Sequence, residues 1–340
     1  MFGREFDLFF FFISFFIGLL FVQIAAPFLN VKDAVMFALV GNAFGLGPFH
    51  QGPTWFAYLD CKNQAHWKKY ATKRAIFYLG PPIIFALSIL GTLKYSALIT
   101  AVWVIWSVQH LVQQNVGILL LYHNYKDNEA IVARPIEAKS QQMAAIAFTL
   151  IFWQHAFMDE GSHPVFGAVI FVCSFLAAAL SLLYIWHTVR QIKNGKALNV
   201  PAFVFWLMSV ICLCPLAFFG KLFTIGFLAP VIWHWWQYIG LNYKLVKNKY
   251  IGERVSNLPA VNAIVLFFFV CVTLVVLNIG LLVIQGHMSN SGVNIPLKDI
   301  LLGVVFGFGF THYFLDAFLW RFREAYQRET ILPYLKTIPQ

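Results

Sequence analysis

Four histidines stand inside long apolar stretches of the sequence: His50, His110, His234 and His312. Neutral imidazole is a ligand for zinc, copper, iron and nickel. An ionisable side chain within a membrane-length apolar segment marks a functional position by default. Taken singly, each of these residues is equally well read as a hydrogen-bonded core histidine that bridges two helices. Their neighbours add chemistry. His110 opens the segment HLVQQ and His234 opens HWWQ, which sets Gln113 and Gln237 at i+3, on the same helical face. An amide there can orient an imidazole and border a cofactor, or act as glue between helices. His312 is followed at i+4 by Asp316. That carboxylate is a candidate catalytic base, a metal ligand or an orienting partner, with a salt bridge to Arg321 or Arg323 as its plain structural role.

The elements that must position these residues are dictated by composition. The chain has 340 residues, 60% hydrophobic and 11% charged, with 37 Phe. Soluble domains carry about 25% charged residues. A spanning helix needs roughly 20 mostly apolar residues, and ten stretches qualify: 8–29, 34–59, 75–93, 96–122, 142–158, 164–187, 201–219, 222–243, 261–285 and 299–320. The first is longer than the apolar region of a signal peptide and lacks a small-residue cleavage site, so it reads as a retained span. The second is interrupted by Gly45, Gly47, Pro48, Gly52 and Pro53. Irregular backbone of that kind is tolerated where it faces protein or a cavity. No linker separates a soluble part, so residues 1–340 are expected to form a single integral membrane domain.

Charge fixes the orientation. With a cytoplasmic N-terminus, the inner segments hold 20 of the 24 Lys and Arg residues, and the outer loops hold only Lys32, Lys94, Lys221 and Lys298. That asymmetry is the positive-inside rule. The expected fold is therefore all-α, a polytopic transmembrane bundle of about ten spans with both termini cytoplasmic, in a bacterial cytoplasmic (inner) membrane. The net charge of +10 reports topology and calls for no nucleic acid. The five cysteines lack metal-site or disulfide spacing.

The same topology sets the four histidines at one depth. Each lies on a span running from outside to inside, 16, 14, 12 and 13 residues from its outer end. At about 1.5 Å per residue they fall within roughly 6 Å of one plane. His155 lies on a helix of opposite direction, near the outer face. His66, His163 and His287 fall in loops, and His123 and His187 at span ends.

Four neutral imidazoles with open coordination positions suit non-haem iron (Fe2+), which activates dioxygen. A site within the bilayer suits an apolar, lipid-like substrate. The architecture and its intramembrane histidines resemble the Brp/Blh-type membrane β-carotene dioxygenases. The segments FHQGP, HLVQQNVG, HWWQYIG and THYFLDAFLWRFR also look like those of uncharacterised bacterial membrane proteins. The first resemblance implies that His50, His110, His234 and His312 hold iron and that the substrate is an isoprenoid or carotenoid. The HxxHH clusters of membrane desaturases are missing from the sequence. Two other readings stay open. One is a b-type haem redox protein. The other is a proton- or ion-coupled transporter that uses His50, His110, Asp316 and the broken second span.

Overall fold

Apolar stretches without access to water must close their peptide hydrogen bonds internally, and the helix is the local way to do so. In the computed structural model the regular elements are helices. The structure describes residues 3–25, 46–123, 134–157, 164–218, 223–251, 255, 262–290 and 296–335. Residues 34–45 of the second expected span, the turn Asp159-Glu160-Gly161, His163, and the charges at Lys32, Lys126, Lys221, Arg254 and Lys336 lie outside the described residues.

Helix α1 begins at Arg4–Asp7, passes through a π-helical turn at Leu8–Ile13 and continues as Ser14–Ala25. Next come α2 (Gly47–Phe56), α3 (Cys61–Lys69), α4 (Ala71–His123), α5 (Arg134–Phe157), α6 (Pro164–Lys193) and α7 (Val200–Phe218). Then follow α8 (Phe223–Lys249), α9 (Ala263–Asn290), α10 (Leu297–Leu319), α11 (Ala325–Thr330) and α12 (Leu332–Leu335). Among the described residues, α4, α6, α7, α9 (as far as Gln285) and α10 are long and apolar enough to cross a membrane. The chain is thus a helical integral membrane protein. Large apolar side chains on α6, including Phe171, Phe175 and Leu182, are exposed, as lipid contact requires. Helices also form over the described parts of the expected spans 142–158 and 222–243, within α5 and α8, which carry more polar residues. Tyr95, with φ −144° and ψ 52°, breaks α4 between the expected spans 75–93 and 96–122.

The chain divides into two compact units, with boundaries inside α4 and α8. The first comprises Met1–Val40 and Val108–Gln237. Here the indole of Trp233 donates to the Phe11 carbonyl at 2.9 Å. That carbonyl lies in the π turn, where the regular helical bonding is offset. Gly18 admits the backbone of Ala229, whose carbonyl oxygen would stand 2.6 Å from an added Cβ. Trp206 of α7 donates to Ser140 of α5 at 2.9 Å, and Tyr184 of α6 stacks on Trp206 at 3.9 Å.

The second unit comprises Gly41–Ser107 and Tyr238–Gln340. Small residues bring its helices together. A Cβ on Gly52 of α2 would lie 2.7 Å from the Cα of Cys271 on α9, and one on Gly303 of α10 would lie 2.6 Å from the Cα of Ile89 on α4. Gly307 likewise meets the ring of Phe85. The small-residue face before His312 is therefore filled by α4. Asp60 caps α3 by accepting from the backbone N–H of Lys62 at 2.8 Å. The same buried carboxylate accepts from Lys249 Nζ at 2.7 Å and from Tyr250 Oη at 2.6 Å.

Candidate metal centre

In the second unit the site is built on α2 and α10. Leu46 precedes α2 with a left-handed φ of 69°, and Pro48 occupies the first turn, where its missing N–H costs nothing. The helix can therefore begin abruptly, just before His50. Nδ1 of His50 is hydrogen-bonded to the Gly47 carbonyl. A carbonyl only accepts, so Nδ1 carries the proton and Nε2 carries the ring's lone pair. His312 on α10 meets His50 edge to face, with ring centroids 4.6 Å apart and planes at 88°. Both rings are buried.

Thr54, one turn after His50, connects the two helices. Its hydroxyl donates to Asp316 Oδ1 at 3.0 Å. Its only proton is then committed, so at 2.7 Å from His312 Nδ1 its oxygen accepts the ring N–H. His312 is thereby fixed in the same tautomer as His50, with its lone pair on Nε2. Asp316 also accepts from Tyr238 Oη at 2.7 Å, and the Tyr238 ring lies 5.1 Å from that of His312. The direct distance from His312 Nδ1 to the carboxylate is 3.7 Å. Asp316 thus acts on His312 through Thr54. This is the arrangement that orients metal-binding histidines: a ligand nitrogen on one side of the ring, a hydrogen-bonded carboxylate behind the other.

The first unit holds a second pair. His110 on α4 and His234 on α8 meet with ring centroids 4.9 Å apart and planes at 85°, and both are buried. Gln114 ties their helices together, donating to the His234 carbonyl at 3.2 Å and to Gln237 Oε1 at 2.9 Å. Gln237 is fully buried beside His234, whereas Gln113 is exposed. The amide facing the partner helix is thus the one at i+4 from His110.

The secondary histidines separate from this group. His155 is exposed, and His66 stacks on Tyr326 at 3.7 Å. His123, expected at an interface, is buried and bonded to Glu137 at 2.6 Å. Thr54, Tyr238 and Gln114 escaped the sequence reading. Each lies at i+4 from a site histidine, in HQGPT, HWWQY and HLVQQ, and that common spacing is the signal that could have found them.

The donor chemistry fits a metal ion. Ligand atoms at about 2 Å from one ion lie within roughly 4 Å of each other. His50 and His312 bring ring nitrogens within 4.8 Å of each other. These buried histidine groups could hold a metal ion. Arg321, a sequence candidate for pairing with Asp316, lies 3.7 Å from Glu324. No family model, no curated protein and no solved structure matches the chain.

Proposed function

We propose that the chain is a membrane-embedded metalloenzyme in which His50, His110, His234 and His312 hold one non-haem iron, and that it oxygenates an apolar lipid of isoprenoid or carotenoid type. The observation that carries the metal reading is the Asp316–Thr54–His312 chain. It sets the ring tautomer so that Nε2 carries the lone pair, as a ligand requires. The common depth of the four histidines in the ten-span topology expected from the sequence, with cytoplasmic termini, is what joins the two pairs in one centre.

Bound iron would supply dioxygen activation. The chain's own residues do the rest. Thr54 and Gly47 fix the tautomers of His312 and His50, and Asp316 anchors Thr54 behind His312. Tyr238 keeps that carboxylate in place. Gln114 and Gln237 hold α4 and α8 in register beside His110 and His234. The likeness to Brp/Blh-type dioxygenases is what directs the substrate reading to carotenoids.

The edge-to-face contact within each histidine pair favours a bare ion over a haem placed between the same two rings. The deciding experiment is metal and spectral analysis of purified wild type beside His234→Ala. The expected result is about one iron per chain without a Soret band, and loss of most of that iron in the variant. A Soret band, or wild-type iron in His234→Ala, would overturn the assignment. Incubation with β-carotene and dioxygen tests the substrate class.

A further inference from the structure

A cavity of about 60 Å³ lies within the second unit. Its inner end is Tyr238, whose hydroxyl donates to Asp316. Its lining then follows one side of α8 through Asn242 to Lys249. Eleven residues of helix carry it about 16 Å, to the end of the bundle where Asp60 caps α3 and meets Lys249. Charged and polar segments outside the spans, Cys61–Lys69 and Ala325–Thr330, border that end.

The lining is apolar in bulk but carries polar groups along its length. Gln327, 2% exposed, lines the cavity, and its Oε1 has no hydrogen-bond partner among the described residues. A buried carbonyl oxygen without a donor, beside open volume, is where ordered water binds. A water needs roughly 10–15 Å³ of such volume, so the space holds about four. An acyl chain would leave Gln327 Oε1 against hydrocarbon, which an unpaired polar group avoids.

We infer that this cavity is a hydrated port, a column of water through which hydrophilic solutes pass from the aqueous face to the Tyr238–Asp316–Thr54–His312 cluster. Resting on the metal reading given above, the solute admitted is the divalent ion itself. A buried metal site needs an entry path, and a hydrated one lets the ion shed its water shell in stages. The Asp60–Lys249 pair stands at the mouth, and the Tyr238 hydroxyl stands at the inner end.

The test uses full-length protein in membrane vesicles, with exposed Cys61 replaced by Ser. Leu245 and Leu319 both line the cavity, and each is changed in turn to Cys. Val265, apolar and 60% exposed on the outer side of α9, is changed to Cys as the lipid-facing control. A cationic, membrane-impermeant methanethiosulfonate is the probe. Leu245→Cys and Leu319→Cys are expected to react within about tenfold of the rate of Cys61 in the parent, and Val265→Cys at least a hundredfold more slowly. Reaction of both cavity variants as slow as the control would overturn the port. The bound adduct then serves as a plug. Cobalt(II) uptake by metal-free protein, followed by visible absorption, is expected to slow at least tenfold after labelling of Leu245→Cys. Unchanged uptake would overturn the port as the metal's route. Should unlabelled protein take up no cobalt, the metal centre fails, while the labelling rates still decide whether the port exists.

Discussion

Thr54 and His312 lie 258 residues apart in the chain and share a 2.7 Å hydrogen bond at the centre of the second unit. The hydroxyl passes the influence of Asp316 to the imidazole and couples α2 to α10. The ring's orientation therefore depends on a residue with no metal chemistry of its own.

Thr54→Val keeps the shape of the side chain and removes its hydroxyl. Loss of such an orienting partner typically lowers metal affinity 10–100-fold. It also strips one donor from buried Asp316, at a cost of about 1–3 kcal/mol. Metal titration and thermal unfolding in detergent measure the two effects. Thr54→Ser should restore most of both, and equal losses in Ser and Val would show that the methyl group matters rather than the hydroxyl.

Tyr238→Phe and Asp316→Asn probe the same chain from its far end. Tyr238→Phe removes the bond to the Asp316 carboxylate and the 3.2 Å contact with Thr54 Oγ1, and should destabilise by about 1.5–3 kcal/mol. In Asp316→Asn the negative charge behind His312 is gone, so metal binding should weaken more than in Tyr238→Phe. Isothermal titration of both variants with one divalent metal gives the order, and the reverse order would remove Asp316 from its orienting role.

Much of this was legible in the sequence. Apolar length gave the membrane class and the helices, and Tyr95 breaks α4 between the two spans expected there. The burial of all four mid-span histidines was also expected from hydropathy. Partners were harder. Gln113 and Gln114 both share a face with His110 by helical geometry, and only the position of α8 selects Gln114. Thr54 sits in a Pro- and Gly-rich stretch, where a hydroxyl reads as a helix-end residue. The Asp60–Lys249 pair spans 189 residues, beyond the reach of any local pattern.

Acid should release that pair. Burial alone would raise the Asp60 carboxyl, but the Lys249 ammonium, with hydrogen bonds from Tyr250 and the Lys62 N–H, holds it below its ordinary 3.8. A depressed carboxyl contributes stability that is full above its unfolded value and is lost as pH falls through the folded one. The contribution is therefore present at neutral pH and disappears below roughly pH 4. Lys249→Met leaves a buried charge and should cost about 3–5 kcal/mol at neutral pH. Its pH dependence should also reverse, because burial now favours the protonated acid. Unfolding midpoints between roughly pH 3 and 8 test both signs.

Gly52 has no room for a side chain, because a Cβ would enter the backbone of Cys271. Gly52→Ala should destabilise by about 1–3 kcal/mol, the usual cost of overpacking. Cys271→Gly should recover part of that loss in the double variant, and simple additivity of the two changes would show that they do not touch.

The Gly52–Cys271 contact also has a chemical consequence. A thiol that an oxidant can reach is open to oxidation to the sulfenic acid. Cys271 is fully buried, pressed against a backbone only two residues from His50. Its sulfur is walled off by the absence of a side chain on its neighbour. The glycine that lets α2 and α9 close thus doubles as a shield, denying an oxidant any approach to the thiol.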